Sequence, residues 1–78
     1  MDAITAAQAR AARAMLRLSL GEVAKRAGVS VRTLSNLEGE RITKPLPMTL
    51  AAVKRAFEAL GVEFTNGRQP GVRLKAKP

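Results

Sequence analysis

Residues 19–38, SLGEVAKRAGVSVRTLSNLE, have the pattern of two short helices joined by a tight turn. Ser19 is a suitable N-cap for the first helix, and Glu22 three residues later completes a capping box. Gly28 follows the last apolar residue of that helix, where a left-handed residue commonly ends a helix. Ser30 then provides the N-cap of the second helix. The segment therefore predicts a helix-turn-helix hairpin.

Small and apolar residues of this segment fall where the two helices must pack. Ala24 lies in the middle of the first helix, where a larger side chain would push the second helix away. The apolar positions predicted to face inward are Val23, Ala27, Val29, Leu34 and Leu37. The residues of the second helix that remain free to point elsewhere are Val31, Arg32, Thr33, Ser35 and Asn36. This is the layout of a helix-turn-helix whose second helix can enter a DNA major groove.

The segment resembles the helix-turn-helix of the Xre/Cro/cI family of phage and bacterial repressors. The matching residues are Ser19, Val23, Ala24, Gly28, Val29, Ser30, Thr33, Leu34, Leu37 and Glu38. With its flanks, the resemblance extends from Ile4 to Gly61. It implies a mainly α fold, a small lambda-repressor-like helical bundle that binds DNA. A helical hairpin with no role in DNA binding is the alternative.

The second helix, about residues 30–38, offers candidate side chains for reading bases. Arg32 could donate to guanine O6 and N7, and Val31 could contact a thymine methyl group. Asn36 could pair with adenine or reach a phosphate, and Ser35 could reach a base edge or a backbone oxygen. The resemblance implies base contacts from the positions of Val31, Arg32 and Asn36.

Contacts to the DNA backbone are expected from both helices and from the loop after them. The residues concerned are Ser19, Leu20, Ser30, Thr33, Arg41, Thr43 and Lys44. The resemblance implies a phosphate contact at Thr33 and places the loop against the DNA backbone, although an exposed linker is the alternative for that loop. The family often has glutamine at the position of Leu20, so only the main-chain amide is expected to bind phosphate there, aided by the helix dipole.

A first helix is predicted before this segment, from a capping box of Thr5 and Gln8 to about Arg17. Ile4 can pack against Ala9 as a hydrophobic staple, and the predicted inward face continues through Ala12 and Leu16. Arg10 and Arg17 are expected to be solvated or near phosphate. The resemblance implies that Arg13 of this helix pairs with Glu38 as a scaffold ion pair.

A long helix is predicted from Thr49, second in length only to the first, after a loop stiffened by Pro45 and Pro47. Its apolar stripe consists of Leu50, Val53, Phe57 and Leu60, and its water-facing residues are Lys54, Arg55 and Glu58. Gly61 ends it. Residues 1–61 would thus form the DNA-binding domain.

Residues 62–78 depart from the commonest form of the family, which ends in a further short helix. Val62 to Phe64 and Val72 to Leu74 alternate apolar and polar residues, with turn signals between them. These strands predict a β-hairpin or ribbon in which Phe64 faces Val72 and Val62 faces Leu74. An isolated hairpin is marginal in water, so it needs either the helical core or a partner subunit. The alanine-rich core has limited room to bury all four apolar residues, which are therefore predicted to form a dimer contact. The alternative is a hairpin folded back on its own helices.

Composition excludes several classes of function. The chain has 78 residues, a formal net charge of +8, and no cysteine, histidine, tyrosine or tryptophan. The usual catalytic and metal-binding residues are thus missing, no cofactor motif is present, and an enzyme is not expected. The positive charge favours a polyanion such as DNA. No run approaches the roughly 20 apolar residues of a membrane span, and the lack of cysteine fits a bacterial cytoplasm.

Together these features predict a transcriptional regulator, a repressor or autoregulator that binds a palindromic operator as a homodimer. The resemblance implies control of its own operon or of genes on phages, plasmids or conjugative elements. Two alternatives stay open. One is an antitoxin or anti-activator that binds the product of a neighbouring gene through a strand edge. The other is an accessory DNA-bending factor for recombination.

Overall fold

The computed structural model describes residues 3–41, 45–65 and 70–75. Within these ranges the elements are α1 (Ala6–Leu16), α2 (Leu20–Ala27), α3 (Val31–Glu38), α4 (Pro47–Ala59), β1 (Val62–Thr65) and β2 (Gly71–Leu74). The predicted helical bundle with a helix-turn-helix and a C-terminal β-hairpin is confirmed. No helix in the described ranges is long and apolar enough to cross a membrane.

Local capping signals place the ends of the first three helices. Thr5 and Ser19 each form a complete capping box, with Gln8 and Glu22 respectively. In the second box, the Ser19 hydroxyl accepts from the Glu22 amide at 3.1 Å and the Glu22 carboxylate accepts from the Ser19 amide at 3.0 Å. Gly28 ends α2 with a φ of 73°, in the left-handed region where glycine carries no Cβ penalty. These predicted caps are confirmed.

The start of α4 differs from the prediction. The helix begins at Pro47 rather than Thr49, and its 13 residues exceed the 11 of α1, so it is the longest helix described. Proline suits the first position of a helix because its fixed φ is already helical and the missing N–H would have no partner there. Pro47 therefore belongs to the helix and not to the loop.

One hydrophobic core joins all four helices and the hairpin. Its fully buried side chains include Phe57 and Val53 of α4, Leu34 of α3 and Val23 of α2. Ala9 and Ala12 of α1 are also fully buried, and Leu16, Leu18, Leu20 and Leu50 are among the side chains packed partly against the core. On the outer side of α4, Lys54 is half-buried, whereas the prediction had it facing water.

The hairpin has the predicted register, with Phe64 opposite Val72 and Val62 opposite Leu74. Its apolar face packs on the helices of the same chain, since α1 contacts β2 and α4 contacts β1. Val62 is fully buried, and the Phe64 ring meets the Phe57 ring edge-on at 6.1 Å. The hairpin thus folds back on its own helices, which was the alternative arrangement, and the core buries only part of its apolar face. Of its four apolar residues, Leu74 alone is exposed.

Gln8 connects α1 to the hairpin with its side-chain amide. Its Oε1 accepts from the Thr5 amide, as the capping box requires, while its Nε2 donates to the carbonyl oxygens of Thr65 and Gly71, each at 2.9 Å. Those two residues are partners across the end of the hairpin. Gln8 is only 4% exposed, so one buried side chain caps a helix and fastens both strands. The sequence predicted only the capping role.

Candidate nucleic-acid interface

One side of α3 is anchored in the core and the other faces outward. Leu34 and Leu37 are buried, whereas Val31 is 48% exposed and Arg32 is exposed. Ser35 and Asn36, which were also predicted to read bases, follow Val31 and Arg32 by four residues and are half-buried. Residues four apart are neighbours on a helix surface, so these four side chains form one continuous strip. We call them the recognition strip.

The predicted backbone-binding residues of the two helices are clustered at helix N-termini. Ser19 and Ser30 are exposed caps, and the Ser30 hydroxyl also donates to the hydroxyl of half-buried Thr33 at 2.8 Å. Both serines satisfy a single amide of the first turn, which leaves other first-turn amides without an intrahelical partner. Leu20 packs partly against the core, so its side chain is directed inward and only its main chain can serve a phosphate.

Of the predicted loop contacts, Thr43 and Lys44 lie outside the described residues, and Arg41 lies against the end of α3. The Arg41 amide donates to the Asn36 carbonyl at 2.9 Å, and the Glu40 amide donates to the Leu37 carbonyl at 3.2 Å. Glu40 between them has a φ of 57°. This combination is the Schellman motif, in which a left-handed residue closes the end of a helix. The sequence did not predict it, because the left-handed residue is not the adjacent Gly39.

The end of α3 is tied to α1 by the Arg13–Glu38 ion pair. Arg13 Nε lies 3.1 and 3.0 Å from the two carboxylate oxygens of Glu38, and Nη2 lies 3.0 Å from Oε1. Arg13 Nη1 also donates to the Leu18 carbonyl at 3.2 Å. The Glu38 side chain is 5% exposed, so its charge is desolvated and depends on this partner. The pair orients α3 relative to the first helix.

Arg10 makes a second connection between α1 and the end of α3, which was not predicted from the sequence. Its Nη1 donates to the Glu38 carbonyl oxygen and lies 3.3 Å from Glu40 Oε2. A cation at this point also interacts favourably with the negative end of the α3 dipole. The available signal was the spacing of Arg10 and Arg13, which are three residues apart on α1 and therefore face the same way.

Electrostatics at the α2 N-terminus are set by Glu22. The Ser19 amide and hydroxyl, followed by the charge of Arg26, hold the pKa of the Glu22 carboxyl below its ordinary value. Glu22 is thus ionised at neutral pH, and its charge stabilises the first turn of α2. Lys25 and Arg26 in the last turn complement the opposite end of the dipole.

In the described ranges, no group of three or more acidic, cysteine or histidine residues could hold a metal ion.

The arrangement of α2 and α3 suits DNA recognition, and the comparison with protein families agrees. Residues 10–65, more than two thirds of the chain, match the family model described as helix-turn-helix. The match begins within α1 and ends at the last residue of β1. No curated protein matches the chain. The chain belongs to the Xre/Cro/cI-type helix-turn-helix family, whose members are DNA-binding transcriptional regulators and not typically enzymes.

Proposed function

We propose that this regulator is a repressor or autoregulator that binds a palindromic operator as a homodimer, with α3 in the major groove. The observation that carries the proposal is the recognition strip, two exposed and two half-buried side chains on one side of a helix whose other side is buried. The strip combines a guanidinium, an amide, a hydroxyl and an apolar group, which are the groups that distinguish base pairs in the major groove.

The length of α3 supports a dimer on a repeated site. Its eight residues span about 12 Å at 1.5 Å per residue, which is enough for only a few base pairs. Two copies related by a two-fold axis would place their recognition helices about 34 Å apart, in successive major grooves of one DNA face. Repression by occupancy requires nothing of the protein beyond tight binding at such a site.

The packing of the hairpin limits the surface that it can offer to a second subunit. Because Val62 is buried and Phe64 packs on Phe57, the part of the hairpin left for a partner is the end that carries Leu74, which is 44% exposed. Leu74→Glu should therefore shift the protein toward monomer in light scattering. Met48, which is 84% exposed on α4, provides the matched control. If Met48→Glu dissociates the dimer and Leu74→Glu does not, the contact lies on α4.

A binding selection from random double-stranded DNA tests the function directly. A two-fold symmetric sequence should emerge, and Arg32→Ala should cost about 1–3 kcal/mol on it while relaxing one position in each half-site. Arg55→Ala, which removes an exposed arginine of α4, is the charge-matched control. Equal weakening by Arg32→Ala on operator and random DNA would reduce that residue to a phosphate contact. Failure to select any sequence would reject the proposal.

Salt dependence tests the contribution of the loop. The affinity should fall steeply with salt concentration, because each neutralised phosphate releases counterions. Lys44→Ala should weaken binding to all sequences alike and reduce the slope of log affinity against log salt by about one. An unchanged slope would mean that Lys44 makes no contact with the DNA backbone.

A further inference from the structure

We propose that Arg41 sets base specificity through Asn36. By holding the Asn36 amide oxygen on its own side, Arg41 directs the Asn36 NH₂ group toward the base, and Asn36 then prefers guanine to adenine. This inference rests on the proposed function, because it requires α3 to lie in the major groove.

The main chain of Arg41 is held by α3. Its amide is bonded to the Asn36 carbonyl at 2.9 Å in the Schellman motif described above, so Arg41 is placed by the helix end and not by the loop that follows. The Arg10–Glu40 contact holds the left-handed residue of that motif from the side of α1. Arg41 is thus a fixed extension of the recognition helix.

The side chain of Arg41 turns back over the last turn of α3. Its Nη1 lies 3.4 Å from Ser35 Oγ, 3.5 Å from the Ser35 carbonyl oxygen and 3.5 Å from Asn36 Oδ1. Gly39 makes room for this path, since a Cβ at that position would lie 3.2 Å from Cζ and Nη1 of Arg41 and from the Ser35 carbonyl oxygen. A side chain at residue 39 would therefore require the guanidinium to shift by a few tenths of an ångström, which would lengthen a contact that is already 3.5 Å.

The chemistry of the two side chains decides what Asn36 can recognise. A guanidinium has only donors, so the asparagine amide must turn its oxygen toward Arg41 and its NH₂ group away. Pairing of asparagine with adenine uses both the oxygen and the NH₂ group, on adenine N6 and N7. With the oxygen turned toward Arg41, the NH₂ group is the part of Asn36 that is left to meet the base. The guanine edge, with acceptors at N7 and O6, is then the complementary one.

Binding selections with the full chain and three variants test this inference. Asn36→Ala identifies the base position that Asn36 reads, and the wild type should prefer guanine there. Arg41→Ala leaves the amide free to turn its oxygen toward adenine N6, so the ratio of guanine to adenine affinity at that position should fall at least about fivefold, the lower end of what one bidentate base contact contributes. Gly39→Ala displaces the guanidinium while retaining the charge, and should shift the ratio in the same direction. Circular dichroism establishes that each variant is folded.

Three outcomes would overturn the inference while leaving the proposed function intact. In the first outcome, the wild type selects an operator but prefers adenine at the position that Asn36 reads. In the second outcome, Asn36→Ala leaves the base preference unchanged at every position. In the third outcome, Arg41→Ala weakens all sequences equally with a shallower salt slope, which would make Arg41 a phosphate contact. A wild type that selects no sequence overturns the proposed function, and this inference with it.

Discussion

Replacing Gln8 with glutamate tests whether one buried amide fastens the hairpin to the helices. The substitution keeps the shape of the side chain and the oxygen that accepts from the Thr5 amide. It removes the NH₂ group that donates to the Thr65 and Gly71 carbonyls. An acceptor-only carboxylate would then face two carbonyl oxygens in a site where the native side chain is 4% exposed.

The expected cost at neutral pH is about 2–4 kcal/mol. Each lost hydrogen bond contributes about 0.5–1.5 kcal/mol, and the carboxylate adds to that because burial removes its charge from water. For a domain of this size, such a loss lowers Tm by roughly 10–30 °C. Burial and the two carbonyl oxygens raise the pKa of the introduced carboxyl. The variant should therefore regain stability as the pH falls through that raised pKa, because a protonated carboxyl can donate one bond.

Urea unfolding followed by circular dichroism at neutral and acidic pH provides the measurement. Ala14→Glu, which adds the same charge at an exposed position of α1, is the matched control. At neutral pH the free energy of unfolding of Gln8→Glu should be well below that of the control. This gap between the two variants should narrow in acid. A gap below about 0.5 kcal/mol at neutral pH, the least expected from one hydrogen bond, would refute the role assigned to Gln8.

Three further predictions concern α2, the ion pair and the end of α3. Hydrogen bonds from Ser19 hold the pKa of Glu22 below 4.5, so the stability that its charge provides is present above that pH and is lost as the pH falls through the lowered pKa. Glu22→Gln, which keeps the capping oxygen, should be less stable than wild type in urea unfolding at neutral pH and equal to it in strong acid. Arg13→Met should cost about 2–4 kcal/mol in the same assay, because it leaves the buried Glu38 carboxylate without its partner, and adding Glu38→Leu should recover part of that loss. Glu40→Gly should raise Tm or leave it unchanged, because glycine relieves about 1 kcal/mol of backbone strain at a left-handed residue, which offsets the loss of the exposed ion pair with Arg10. Glu40→Ala loses the same ion pair without relieving the strain and should lower Tm.

Features encoded locally could be predicted from the sequence. The helix boundaries at Ser19, Gly28 and Ser30 depend on hydrogen bonds and backbone conformations within a few residues, so the residue types alone indicate them. The hairpin register was also predicted from local information, since alternation places Phe64 and Val72 on one face and the turn signals between the strands favour their direct pairing.

Features that depend on contacts distant in the chain could not be predicted in the same way. The second role of Gln8 requires partners 57 and 63 residues away, and no local pattern indicates them. The docking of the hairpin on its own helices was only the alternative prediction, because the small alanines of α1 indicated a thin core, whereas α1 packs against β2 and helps to enclose the hairpin. The side-chain path of Arg41 depends on Glu40, and not Gly39, being the left-handed residue.

The contacts at the end of α3 couple the stability of the domain to its proposed reading of DNA. Glu38 binds Arg13 through its carboxylate and Arg10 through its carbonyl, so both connections to α1 converge on the residue at which the recognition helix ends. The Schellman motif that places Arg41 starts from the same turn. Arg10 also contacts Glu40, the left-handed residue of that motif, so a shift of α1 would disturb both connections and, through Glu40, the motif. Substitutions in the core beneath α1 should therefore alter base preference as well as affinity in the binding selection. Changes confined to the exposed side of α4 should leave base preference unaltered.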